Sequence, residues 1–103
     1  MNSVLLQRIK KRLSDLYGAR LKGVVLYGSE ARGDADAESD IDIMVLLDGP
    51  IALWRETRAI VETLYDIQLE VIRPIHATPV DVKSYLAQEY ALYRNARRDG
   101  KAA

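Results

Sequence analysis

Two short apolar runs, with a Gly-Ser step after the first and an Asp-x-Asp step opening the second, constrain this chain more than any other feature. The run 21–27 reads as a strand, so Gly28 and Ser29 fall where the backbone leaves a sheet, and glycine allows both a sharp turn and close approach of another group. Glu30, Ala31 and Arg32 can begin a helix whose first amides lack partners and point at any bound anion, which makes a phosphate seat. Asp40 and Asp42 lie two apart in SDIDIMVLL, so in a strand both carboxylates project from one face while Ile41, Ile43, Val45 and Leu47 point into a core. Paired carboxylates repel one another unless a cation sits between them, and hard oxygen ligands suit magnesium or manganese. If the two strands are antiparallel neighbours, Gly28 and Ser29 face Asp40 and Asp42 across a small gap.

Two other motifs fit the residues less well. Gly28 to Gly33 matches the first half of a P-loop, but Asp34 and Ala35 follow where Lys and Ser or Thr are needed. Asp34, Asp36 and Glu38 alternate like a calcium loop, yet Ser39 stands at the sixth position and Val45 at the twelfth, where glycine and glutamate belong. Arg32 has two readings, a phosphate contact or a neutraliser of the surrounding acids.

The chain has 103 residues, enough for one small domain spanning 1–103 with a sheet and several helices. Its 15 basic and 15 acidic side chains balance, which argues against direct nucleic-acid binding. Without cysteine there is no disulfide framework or thiolate metal site. No signal peptide or membrane-spanning run is apparent, so a cytoplasmic protein with no membrane association is expected.

Around the motif, Asn2 or Ser3 can cap a first helix with apolar positions Leu5, Ile9, Leu13 and Leu16, closed by Gly18. Lys10, Lys11 and Arg12 form a solvated face. Asp48, Gly49 and Pro50 break the chain after the second strand. Leu53, Trp54, Ile60, Val61 and Leu64 mark a helix packing on the sheet, with Trp54 a core or interface residue. The run 67–73 reads as a third strand, and a strand-helix-strand connection predicts parallel, right-handed pairing with the second. In that strand Glu70 is an isolated acid, either an edge charge or a third metal carboxylate, with Asp66 the alternative at its entrance. Thr78, Pro79 and Asp81 read as the start of a last helix carrying Val82, Leu86, Tyr90 and Tyr93. His76 falls in the loop between them. Arg94, Arg97 and Arg98 suit the negative end of that helix, and residues 100–103 should fray. Six tyrosines without phenylalanine suit interfaces, and self-association into a homo-oligomer is one possible use of the helical stripe. The fold class is α/β: a small mixed three-stranded or slightly larger sheet, in the order α-β-α(short)-β-α-β-α.

The combination of apolar strand, Gly28-Ser29, and Asp40-x-Asp42 opening a second strand resembles the nucleotidyltransferase superfamily related to DNA polymerase beta. The wording Gly28-Ser29-Glu30-Ala31-Arg32-Gly33 is similar to its minimal prokaryotic branch, the MNT domains. The resemblance implies that Asp40 and Asp42 hold Mg2+ or Mn2+ and that the Gly-Ser turn holds a nucleoside triphosphate, with ATP the habitual donor. It implies a third carboxylate that contacts metal and helps activate the acceptor hydroxyl; Glu70 would supply it, in place of the usual Asp. The branch is commonly paired with a small helical HEPN protein, the nucleotidyltransferase acting as antitoxin, in some cases by adenylylating a tyrosine of the toxin. Transfer to a small hydroxylated molecule such as an aminoglycoside, with a companion subunit, is an alternative, as is a non-catalytic antitoxin that masks its partner.

Overall fold

A computed structural model describes residues 3–103; Asn2, one of the two expected caps, lies outside the described residues. Helix α1 (Ser3–Tyr17) buries Ile9 and Leu13, four residues apart on one stripe. Gly18, at φ +57°, then turns the chain through a short 3-10 segment, Gly18–Arg20, into β1 (Leu21–Tyr27). The short helix α2 (Gly28–Arg32) follows at once, and a loop leads to β2 (Ile41–Leu47). Helix α3 (Leu53–Glu70) connects β2 to β3 (Ile75–Asp81); α4 (Val82–Leu86), α5 (Ala91–Asp99) and β4 (Lys101–Ala102) complete the order.

Among the described residues four strands make one mixed sheet in the order β3-β2-β1-β4. β1 and β2 are antiparallel, with Tyr27 opposite Asp42, and β2 and β3 are parallel, with Asp42 opposite His76. Alternation along β2 divides the core. Ile41, Ile43, Val45 and Leu47 pack with Ile9, Leu13, Ile60, Leu64 and Ile67 of α1 and α3, whereas Met44 and Leu46 pack with Val25, Val80, Tyr85 and Ala96 toward α4 and α5. Asp42 belongs to the second face. Because β1 runs against β2, the end of one and the start of the other meet at one end of the sheet.

The expected strand at 67–73 is not one. Ile67 is fully buried three residues after Leu64 and seven after Ile60, so the helical stripe continues and α3 runs on to Glu70. A parallel third strand does follow that helix, but it is Ile75–Asp81. Pro79 lies inside it, tolerated because β3 is an edge strand that needs hydrogen bonds on one side only. Asp81, not Thr78, caps the next helix: its Oδ1 accepts the Lys83 N–H at 2.8 Å. The single last helix is two, α4 and α5, separated by Gln88 at φ 55°. Trp54 is 84 % exposed and so not a core residue. Residues 100–103 are held rather than frayed, with Ala102 opposite Val25, the Ala103 N–H donating to Val24 O at 2.9 Å, and Lys10 Nζ donating to Ala103 O at 2.8 Å. No helix among the described residues is long and apolar enough to cross a membrane.

Candidate functional site

The register Tyr27 to Asp42 brings the Gly-Ser turn against the second aspartate. Gly28 has φ +72°, and a Cβ there would lie 2.7 Å from Asp42 Oδ2, so both conformation and space call for glycine. The gap foreseen between Gly28 and Asp42 is therefore a contact. Asp40 is exposed immediately before β2, and the Ile41 N–H that follows it donates to Pro74 O at 2.8 Å. Tyr27 shares Asp42's face, and burial first, then the Asp42 charge, push its hydroxyl above the ordinary tyrosine range.

His76 faces the same place from β3, its Nδ1 3.6 Å from Asp42 Oδ1. The sequence pattern places it in a loop because Pro79 disguises the strand. The available signal was the alternation of apolar Ile75 and Ala77 with polar His76 and Thr78, a half-buried strand pattern.

The loop between α2 and β2 is shaped by Asp36. Its Oδ1 accepts from the Glu38 N–H at 2.9 Å and from the Ser39 N–H at 3.0 Å, and the Glu38 amide and then the Ser39 hydroxyl hold its carboxyl below the usual range. Arg73 fastens the far side, donating from Nε to Ser39 O and from Nη1 to Glu30 Oε1, each at 2.8 Å. Arg32 is half-exposed, with Nε a loose 3.4 Å from Asp34 Oδ2. It lines, with Tyr27, Gly28, Leu92, Asn95, Ala96 and Asp99, a cleft of about 140 Å³ between the turn and α5. Arg32 thus touches an acid and also borders open space beside Gly28.

Glu70 and Asp66 stand elsewhere. As the last residue of α3, Glu70 has no strand face to share with the aspartates, and its Oε2 accepts from Arg8 Nη1 at 2.7 Å. Asp66 accepts from Arg12 Nη1 at 2.6 Å, and that bond holds its carboxyl below the usual range. Both acids tie α3 to α1. The third-carboxylate assignment is thereby corrected, because it depended on a strand at 67–73. Among the described residues no three His, Cys, Asp or Glu side chains are gathered closely enough to enclose a metal. Asp42 in β2 and Asp40 immediately before it are of the ligand type that fits magnesium or manganese, which typically take one or two protein carboxylates and fill their remaining positions with water and substrate phosphate.

The sequence profile of the family described as "Nucleotidyltransferase domain" matches residues 6–98. The chain belongs to this family. "Putative protein adenylyltransferase MJ0141" of Methanocaldococcus jannaschii is 30 % identical to this domain over 69 residues, 66 % of this chain and 70 % of that protein. A second protein of the same description and organism, MJ1379, is 50 % identical over 44 residues, 43 % of this chain and 42 % of its own. Among solved structures, a chain from a mutant form of the toxin-antitoxin pair MntA-HpeT superposes with a TM-score of 0.65 at 21 % identity, covering all of this nucleotidyltransferase domain and 72 % of that chain. At that identity the likeness concerns the fold.

Proposed function

We propose that this domain transfers AMP from ATP to a hydroxyl on a partner protein, as the antitoxin of a toxin-antitoxin pair whose toxin is a small helical HEPN-type protein. The observation that carries the proposal is the contact between Gly28 and Asp42, which sets a side-chain-free turn against a carboxylate at the mouth of the sheet. The description of the relatives as protein adenylyltransferases and the toxin-antitoxin source of the structural neighbour support the choice of acceptor.

In this reading Asp40 and Asp42 hold Mg2+ or Mn2+, and Gly28 and Ser29 seat the β and γ phosphates with Arg32 beside them. The bound ion would lower the pKa of the acceptor hydroxyl and neutralise charge on the departing pyrophosphate. The acceptor oxygen bonds to the α-phosphorus as the bond from that phosphorus to the bridging oxygen breaks. Pyrophosphate leaves, and the hydroxyl proton passes to solvent. His76, with Nδ1 3.6 Å from Asp42 Oδ1, is a further polar side chain at the site; hard ions such as magnesium and manganese favour the carboxylate oxygens over its imidazole. The domain works in the cytoplasm, where ATP and magnesium are plentiful.

The test is incubation with Mg2+ or Mn2+, labelled ATP and the copurifying partner, followed by intact-mass analysis of the partner. A gain of one AMP, absent with Asp40→Asn/Asp42→Asn, is expected. The lack of a third carboxylate beside Asp42 among the described residues favours one other reading, neutralisation by masking. That reading requires tight complex formation with no mass gain for any of the four nucleotides, and complex formation undiminished in the double variant.

A further inference from the structure

We propose that Arg73 is a positioning residue for the metal-nucleotide site, setting Asp40 and the Gly-Ser turn relative to each other. The inference rests on the nucleotidyltransferase reading of the site and concerns a residue whose position, two before β3, carries no motif. Its Nε holds Ser39 O, and the next residue, Pro74, accepts the Ile41 N–H through its carbonyl. Asp40 is therefore bracketed on both sides by bonds to one dipeptide. The other arm of the same guanidinium, Nη1, holds Glu30 Oε1 in α2, two residues beyond Gly28. Glu30's side chain is only 8 % exposed and Arg73's 18 %, so the link is shielded from water. The fixed planar fork of an arginine thus couples the phosphate-bearing turn to the carboxylate-bearing strand.

The third corner of that fork, Nη2, is buried without a hydrogen-bond partner among the described residues. An unmet buried donor works against stability, and its retention fits a side chain held for geometry. A lysine keeps the charge facing Glu30 but has no fork, so it cannot hold both acceptors in fixed relation. The substitution Arg73→Lys therefore separates positioning from charge pairing.

The experiment measures binding of Mn2+ with the non-hydrolysable analogue AMPCPP by calorimetry, for wild type, Arg73→Lys, Arg73→Met and the remote control Arg20→Lys. Thermal midpoints and backbone amide spectra are recorded for each, below the lowest midpoint. Loss of an outer support typically weakens such sites by about 10- to 100-fold, and both Arg73 variants should show it. Amide shifts should centre on Gly28 to Glu30 and Ser39 to Ile41, and Arg20→Lys should bind like wild type. Undiminished binding by folded Arg73→Lys, whether or not Arg73→Met is weakened, or equal weakening by Arg20→Lys, overturns the inference alone. Failure of the wild-type protein to bind overturns the metal-nucleotide reading and this inference with it.

Discussion

The two ends of the sheet use the same device to different effect. At the end away from the aspartates, Arg20 stands one residue before β1, donates to Asp48 O just after β2, and holds Glu56 in the first turn of α3 at 2.7 Å. At the aspartate end, Arg73 stands two residues before β3, donates to Ser39 O just before β2, and holds Glu30 in α2. Each arginine fixes one end of β2 by a neighbouring carbonyl and a largely buried glutamate. The surroundings differ. Arg20 adds a bond to Pro50 O and lies over the Tyr17 ring, and the Tyr17 hydroxyl reaches Glu56 at 3.4 Å, giving a network with several supports. Arg73 keeps a buried donor unmatched among the described residues. The remote end is held by a network with several supports, whereas the aspartate end leaves one buried donor unmatched among the described residues.

Substitutions at matched positions sharpen this contrast. The largest effect is expected from Gly28→Ala, whose Cβ would press on Asp42 Oδ2 in a left-handed conformation. AMP transfer should fall about a hundredfold or more, with about 1–3 kcal/mol of stability lost to backbone strain. Gly18→Ala at the other end meets no atom within 4 Å, so denaturant titration should show the strain cost while transfer stays at the wild-type rate. Equal loss of transfer in both would break the comparison.

Next in size, Glu56→Gln should lower stability by about 1–3 kcal/mol in urea titration, because Arg20 and Tyr17 lose a charged acceptor at a buried position. Nucleotide binding should be unaffected. A smaller effect lies in the acid limb. The Arg20 hydrogen bond holds the Glu56 carboxyl below its ordinary 4.5, so its contribution is full above that value and declines as pH falls through the depressed range. Stability curves against pH should therefore be flatter below about pH 4.5 in Glu56→Gln.

The smallest effect is alkaline. Burial, then Glu56, push the Tyr17 hydroxyl up to about 12, so the fold favours the neutral phenol. The Tyr17 contribution should be constant below the ordinary value of 10.0 and decline as pH rises from there toward 12. Tyr17→Phe should reduce that decline, measured by thermal midpoints across the interval, with tyrosinate absorbance reporting the ionisation. The remainder belongs to Tyr27, Tyr85 and Tyr93, whose hydroxyls are also raised by burial.

The Gly28 turn was legible because it is local. A glycine after an apolar strand specifies a turn within a few residues, and the limits expected for β1 are those observed. The third strand was misplaced because Ile67, Leu69 and Val71 fit a strand's alternation while Ile60, Leu64 and Ile67 fit a helix. Burial of Ile67 against α1 and β2 decided for the helix. With the strand moved to Ile75–Asp81, the residue opposite Asp42 became His76 and Glu70 joined Arg8 on another surface.

By itself, then, the sequence determined the α/β order, the Gly28 turn and the inward face of β2, all consequences of backbone periodicity over short spans. Tertiary structure alone decided which side chain meets Asp42 from β3, that Arg73 joins Glu30 to Ser39, and that residues 101–102 extend the sheet. Those contacts join positions far apart in the chain. Their choice depends on strand register and on competition for buried surface, which no short stretch of sequence contains.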